Sequence, residues 1–170
     1  DVSLTDGVLT TGADPDEPVQ GGLISITKDS ITTTLTRCLM NNLANGIGPI
    51  GGAIGIEIAA TTALVLVASV LMNNGSSAAL STTSGALTLT STHVTYYLDT
   101  DSGAPATLAF NQAGDSIVSV NDIFSSDNEI LVRFAFAPPT SSLTNGLFNK
   151  INAPGTSNWV VLPSGNYGEV

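Results

Sequence analysis

Apolar residues alternate with Ser, Thr and other small polar residues along most of this chain. Ile24 and Ile26 alternate with Ser25 and Thr27, and Ile31, Thr33 and Leu35 alternate with Thr32, Thr34 and Thr36. A period of two rich in β-branched residues predicts strands. The same signature covers Ile54, Ile56 and Ile58, then the region 78–98, where Leu87, Leu89 and Ser91 are followed by Val94, Tyr96 and Leu98. It returns in 106–110, 117–124 and 129–137, and in a short run around Trp159. Leu64–Met72 is apolar on both faces and reads as a strand buried on both sides. Asn, Gly, Ser and Pro clusters separate these runs, among them Asn73–Ser76 and Pro138–Pro139. No segment carries a convincing helical period. The expectation is an all-β fold of about eight or nine strands, a β-sandwich or jelly roll. No repeat at a solenoid period is evident.

Residues 1–22 read as an N-terminal arm and linker, and 23–170 as a single domain. The arm holds a strand-like stretch with Val2, Leu4, Val8 and Leu9, followed by a segment with Pro15, Pro18, three acids and a double glycine. Pro excludes a helix interior or a central strand there.

Composition narrows the function. Only 18 of 170 residues are charged, 14 acidic and 4 basic, for a net charge of −10. Four scattered cations cannot replace the counterions of a nucleic acid. The hydrophobic content, 42%, is too high for a disordered chain. Cys38 is the only cysteine, so no disulfide framework exists within one chain. Ser and Thr fill 39 positions, so much of the surface is neutral and hydroxyl-bearing. That composition, with a start at Asp1, points to an exported protein whose signal peptide has been removed. Ile47–Met72 carries a single charge, Glu57, but Pro49 and several glycines make it a poor membrane helix.

Candidate chemistry is sparse. His93 is the only histidine, and no G-x-S-x-G accompanies it, so a strand position facing solvent outweighs pairing with Ser91 or Asp99. Cys38 lies in an apolar run and reads as a small buried residue. Weak calcium candidates are Asp14, Asp16, Asp99 and Asp101; Asp99–Gly103 opens like an EF-hand loop, but Phe110 stands where the bidentate Glu belongs. Asp122, Asp127 and Glu129 lie in nearby turns, and solvated turn residues are the plainer account of all of these. Asn74 begins the only N-x-S/T acceptor. Trp159, Tyr167 and Tyr96 are candidates for a sugar-stacking platform, although filling a core explains them as well. No cofactor is implied.

With no catalytic constellation, the expected function is a self-assembling structural subunit of an extracellular filament or pilus, its partners being copies of itself. The arm would complete a sheet in the next copy through Val2, Leu4, Val8 and Leu9. A viral capsid, tail or decoration protein, and a monomeric adhesin or carbohydrate-binding module, are the alternatives.

Overall fold

In a computed structural model, the described residues are 2–10, 24–42, 55–74, 78–99, 106–126, 131–150, 160–162 and 165–167. They contain only strands, turns and irregular backbone. Three sheets account for every strand among them. Sheet A comprises β1 (Val2–Thr5), β4 (Thr32–Thr36), β7 (Thr62–Val67), β10 (Leu87–Thr92), β13 (Ser116–Val120) and β16 (Ser141–Thr144), neighbours in that order. Sheet B comprises β2 (Val8–Thr10), β5 (Leu39–Asn42), β8 (Val70–Asn74), β11 (Thr95–Asp99), β14 (Ile123–Ser126) and β17 (Leu147–Lys150). Sheet C comprises β3 (Ile24–Ile26), β6 (Ile56–Ile58), β9 (Leu80–Thr82), β12 (Leu108–Phe110), β15 (Val132–Phe134), β18 (Val160–Leu162) and β19 (Gly165–Tyr167). Apart from β19, each sheet takes every third strand, and all pairings are parallel except β18 with β19. The chain is therefore a β-solenoid, with sheets A and B six strands deep.

This corrects the sandwich and jelly-roll expectation. Those folds pair antiparallel strands joined by short turns. Here each strand except β19 pairs with one a full coil away, 24 to 32 residues along the chain (Ile123 with Leu147, Ile24 with Ile56). The absence of a solenoid repeat is corrected with it. The repeat is present but unequal in length. Residues 1–22 do not all lie outside the sheets either: β1 and β2 pair in register with β4 and β5 of the same chain.

Several runs that read as single strands, Leu64–Met72 and 117–124 among them, hold parts of two strands with a corner between them. Asp6, Arg37, Ala68, His93, Asn121 and Asn145 all have positive φ, between 47 and 57°. Each stands between a strand of sheet A and the next strand of sheet B, and this connection is two residues long in every coil. Backbone bonding continues round the corner: Asp6 N donates to Thr36 O (3.0 Å), Arg37 N to Val67 O (2.9 Å) and Ala68 N to Thr92 O (2.9 Å). The residue after the left-handed one turns inward. Inward positions thus run Leu64, Leu66, then Ser69, Leu71; and Leu87, Leu89, Ser91, then Val94, Tyr96. One step of three among steps of two marks each corner.

The left-handed region strains side chains that lack a compensating local hydrogen bond. Asn and Asp tolerate it best; Ala68 has nothing to offer. Ala68→Asn should therefore raise the unfolding free energy by about 1 kcal/mol, read from urea denaturation. An unchanged midpoint would show that the corner is not strained there.

The three inner faces close on one core. Leu35, Ile56, Leu64, Leu66, Leu89, Leu108 and Ile117 are among its buried members. Like side chains stack coil on coil. Tyr96 lies on Phe124 with ring centroids 5.1 Å apart, and Phe110 on Phe134 at 4.5 Å, the ring planes nearly parallel in both pairs. These offsets follow from parallel, in-register pairing, which places equivalent residues directly above one another about 4.8 Å apart.

Candidate functional site

Of the residues singled out from the sequence, Asp14, Asp16, Asp101, Asp127, Glu129 and Trp159 lie outside the described residues. Asn74 and Asp99 are the last residues of β8 and β11, and Tyr167 the last of β19. His93 is an exposed corner residue, whereas Ser91 is fully buried on the opposite face of the wall. A continuous strand would put residues two apart on one face; the left-handed corner at His93 separates the two instead. Cys38 is buried; its thiol lies 3.4 Å from Thr36 O and 3.5 Å from Leu4 O. Tyr96 is buried in the core, not available on a platform. Among the described residues, no three His, Cys, Asp or Glu side chains gather where a metal ion could be held. Among the same residues no helix is long and apolar enough to cross a membrane.

Asp122 is the clearest departure from its sequence reading. It is no turn residue in solvent but a fully buried carboxylate at an inward corner position. Ser91 Oγ and Ser119 Oγ donate to its Oδ2, the latter at 2.7 Å, and Val94 N donates to Oδ1 at 2.8 Å. At two of the corners the inward-turning residue points its N–H at a buried side chain rather than along a sheet. Val94 N and Cys38 N both need an acceptor there, and the next coil supplies it: Asp122 for Val94, and Ser69 Oγ (3.1 Å) for Cys38. Beside Asp122 the Tyr96 phenol is held well above its usual range, chiefly by burial, with the carboxylate adding to the effect and Ser91 opposing it.

A second buried carboxylate serves the corner between sheets C and A. Asp115 accepts from Leu87 N (2.7 Å), Thr82 Oγ1 (2.7 Å) and Gln112 N (2.9 Å). Burial pushes its carboxyl up, and these three donors pull it back down. Both acids therefore hold backbone in place and have no access to a substrate.

Surface chemistry falls into three regions. Along the A–B corner, Arg37 holds Asp6 through two hydrogen bonds (2.5 and 2.8 Å), which keeps the Asp6 carboxyl below its ordinary range. Farther along, Asn145 Nδ2 donates to Asn121 Oδ1 (3.2 Å), and Asn121 Nδ2 lies 3.3 Å from His93 Nε2. On the outer side of sheet C, Glu57 accepts from Ser25 Oγ (3.2 Å) and Thr83 Oγ1 (3.1 Å), while Arg133 Nη2 donates to Asn111 Oδ1 (2.9 Å). The six strands of sheet A contain no charged residue.

The fourth feature is the open N-terminal coil. Val2 shares a register row with Thr33, Leu64, Leu89 and Ile117, all of which are buried. Val2 is nonetheless 55% exposed, because among the described residues no strand covers β1 on its other side. Leu4, one step along, is partly buried against the core beneath Leu35. At the far end β16 and β17 likewise have one edge without a partner strand among the described residues, while sheet C finishes in antiparallel β19. Four residues assigned from the sequence to an assembly arm, Val2, Leu4, Val8 and Leu9, thus lie on the two edge strands of this coil. No protein family, curated protein or solved structure matches this chain.

Proposed function

We propose that this chain is a non-enzymatic structural subunit that polymerises head to tail, coil upon coil, in an extracellular filament. The observation that carries the reading is Val2: an apolar side chain in a core row, left 55% exposed on a strand that pairs with β4 on one side and has no partner among the described residues on the other. Such an edge offers a row of free N–H and C=O groups together with an unfinished core.

The opposite end has matching groups. Within the chain, the row of Val2 ends at Ser141, the row of Leu4 at Leu143, and the left-handed corner row runs from Asp6 to Asn145. A second copy stacked in register would set Leu4 beside Leu143 and the Asp6 carboxylate beside the Asn145 amide, a donor facing an acceptor. Because the two ends differ, the contact is heterologous and runs on instead of closing. Pairing would run through sheets A and B, since β19 occupies the end of sheet C. In this reading the N-terminal strands stay in their own sheets and present an edge, and do not swing out as a separate arm. The low charge of the chain supports close contact between copies and an exported setting.

Sedimentation and negative-stain imaging over a range of protein concentrations test this. Wild-type protein should form unbranched, single-solenoid-wide polymers. Val2→Lys places an inward-pointing charge on the edge, a device that blocks edge pairing. It should leave the circular dichroism spectrum and melting temperature unchanged and the protein monomeric. A wild-type chain that stays monomeric throughout, or a Val2→Lys variant that polymerises normally, would overturn the proposal.

A further inference from the structure

The outer face of sheet A is a lattice of hydroxyl and methyl groups. In-register pairing lines up Ser3, Thr34, Val65, Thr90, Val118 and Ser142 in one row across the six strands. A second row repeats the alternation two residues along each strand, with Thr36, Val67, Thr92 and Val120 at its centre. Thr88 and Thr90 are exposed on this face, and Val118 is 41% exposed. Rows lie about 6.6 Å apart along the strands, and strands about 4.8 Å apart. β-Branched side chains hold few χ1 rotamers, so these groups are fixed in position as well as in sequence.

Charge and composition decide what such a face can hold. A nucleic acid or an anionic membrane would need cations, and the six strands have none. Protein interface cores favour aromatic residues, Met and Arg, and no strand of sheet A contains any of these. The face matches instead a neutral surface with hydrogen-bonding groups repeating in two directions. Water in ice is such a surface, and the oxygen repeats of its prism face lie near both spacings. Methyl groups at Val65 and Val118 favour ordered, cage-like water around them, while the Thr34 and Thr90 hydroxyls can bond into that layer.

We propose that the outer face of sheet A binds ice, with a layer of ordered water joining the protein lattice to the crystal. The activity does not depend on polymerisation, since one chain carries the whole face. Purified protein should suppress ice recrystallisation and become enriched in ice grown slowly from solution. Thr90→Lys puts a mobile charge at the centre of the lattice and should abolish both effects with the circular dichroism spectrum and melting temperature unchanged. Thr95→Lys, on the outer side of sheet B, should keep both. A wild-type protein inactive in both assays, or a Thr90→Lys variant as active as the wild type, overturns the proposal. So does a Thr90→Lys variant that changes sedimentation alone, which would mark the face as a protein contact.

Discussion

Gly85→Ala should cost more than about 4 kcal/mol and leave little folded protein at ambient temperature. Two effects add. Gly85 has φ +69°, where a Cβ is strained by about 1–2 kcal/mol. Steric overlap costs more: a Cβ there would lie 2.3 Å from Ala60 C and 2.4 Å from Thr61 N. Those atoms are backbone of the neighbouring coil, so no rotamer change relieves the overlap. The coils would have to separate where Thr62 N donates to Ala86 O (2.9 Å) and Ala86 N donates to Thr61 Oγ1 (3.3 Å). Gly114 is the internal control. Its φ is +93°, but a Cβ there meets only the Ala86 methyl, at 3.2 Å. Gly114→Ala should lose about 1–2 kcal/mol, chiefly from backbone strain. Denaturant midpoints of the two variants check this, and equal losses would mean that coil contact at Gly85 is not the cause.

Asp122→Ala should lose about 3–5 kcal/mol. The carboxylate is fully buried, and removing it strands Ser91 Oγ, Ser119 Oγ and Val94 N without an acceptor. Asp122→Asn should be milder, about 1–2 kcal/mol. Its carbonyl can still accept from Val94 N, and the two serine hydroxyls can rotate to accept from the amide. The contrast between the variants is the diagnostic measurement. If Ala were as benign as Asn, the three donors would not depend on this side chain, and the corner would be held by its parallel ladder alone. The same comparison bears on the proposed filament only through stability, because Asp122 faces the core.

Asp122 also shows where sequence reasoning stopped. Beside Asn121 it resembles any solvated turn acid. The step of three from Ser119 to Asp122, in a run that otherwise alternates by two, was visible. The same step recurs from Leu35 to Cys38, Leu66 to Ser69 and Ser91 to Val94. Read together, the four steps announce a corner repeated once per coil. They escape a search at fixed period because the connections from sheet B to sheet C span anything from 5 residues (between β8 and β9) to 13 (between β2 and β3), while the A–B corner is constant. Arg37 and Ala68 hid the corner further, since neither is a residue type that signals positive φ.

Local sequence sufficed for the all-β character, for the inward and outward sets within most strands, and for the scarcity of charge on their surfaces, but it merged neighbouring strands into eight or nine where the described residues form nineteen. Those properties come from alternation and composition, which each segment carries by itself. Partner choice is of another kind. Ladder hydrogen bonds join backbone groups that are the same in every residue, so alternation serves an antiparallel sandwich and a parallel solenoid equally well. Stacking of whole coils selected the parallel solution, by setting Tyr96 on Phe124, Phe110 on Phe134, and Asp122 beneath Val94 N. The same stacking turned scattered Thr and Val residues into one ordered face, and left Val2 at an open edge.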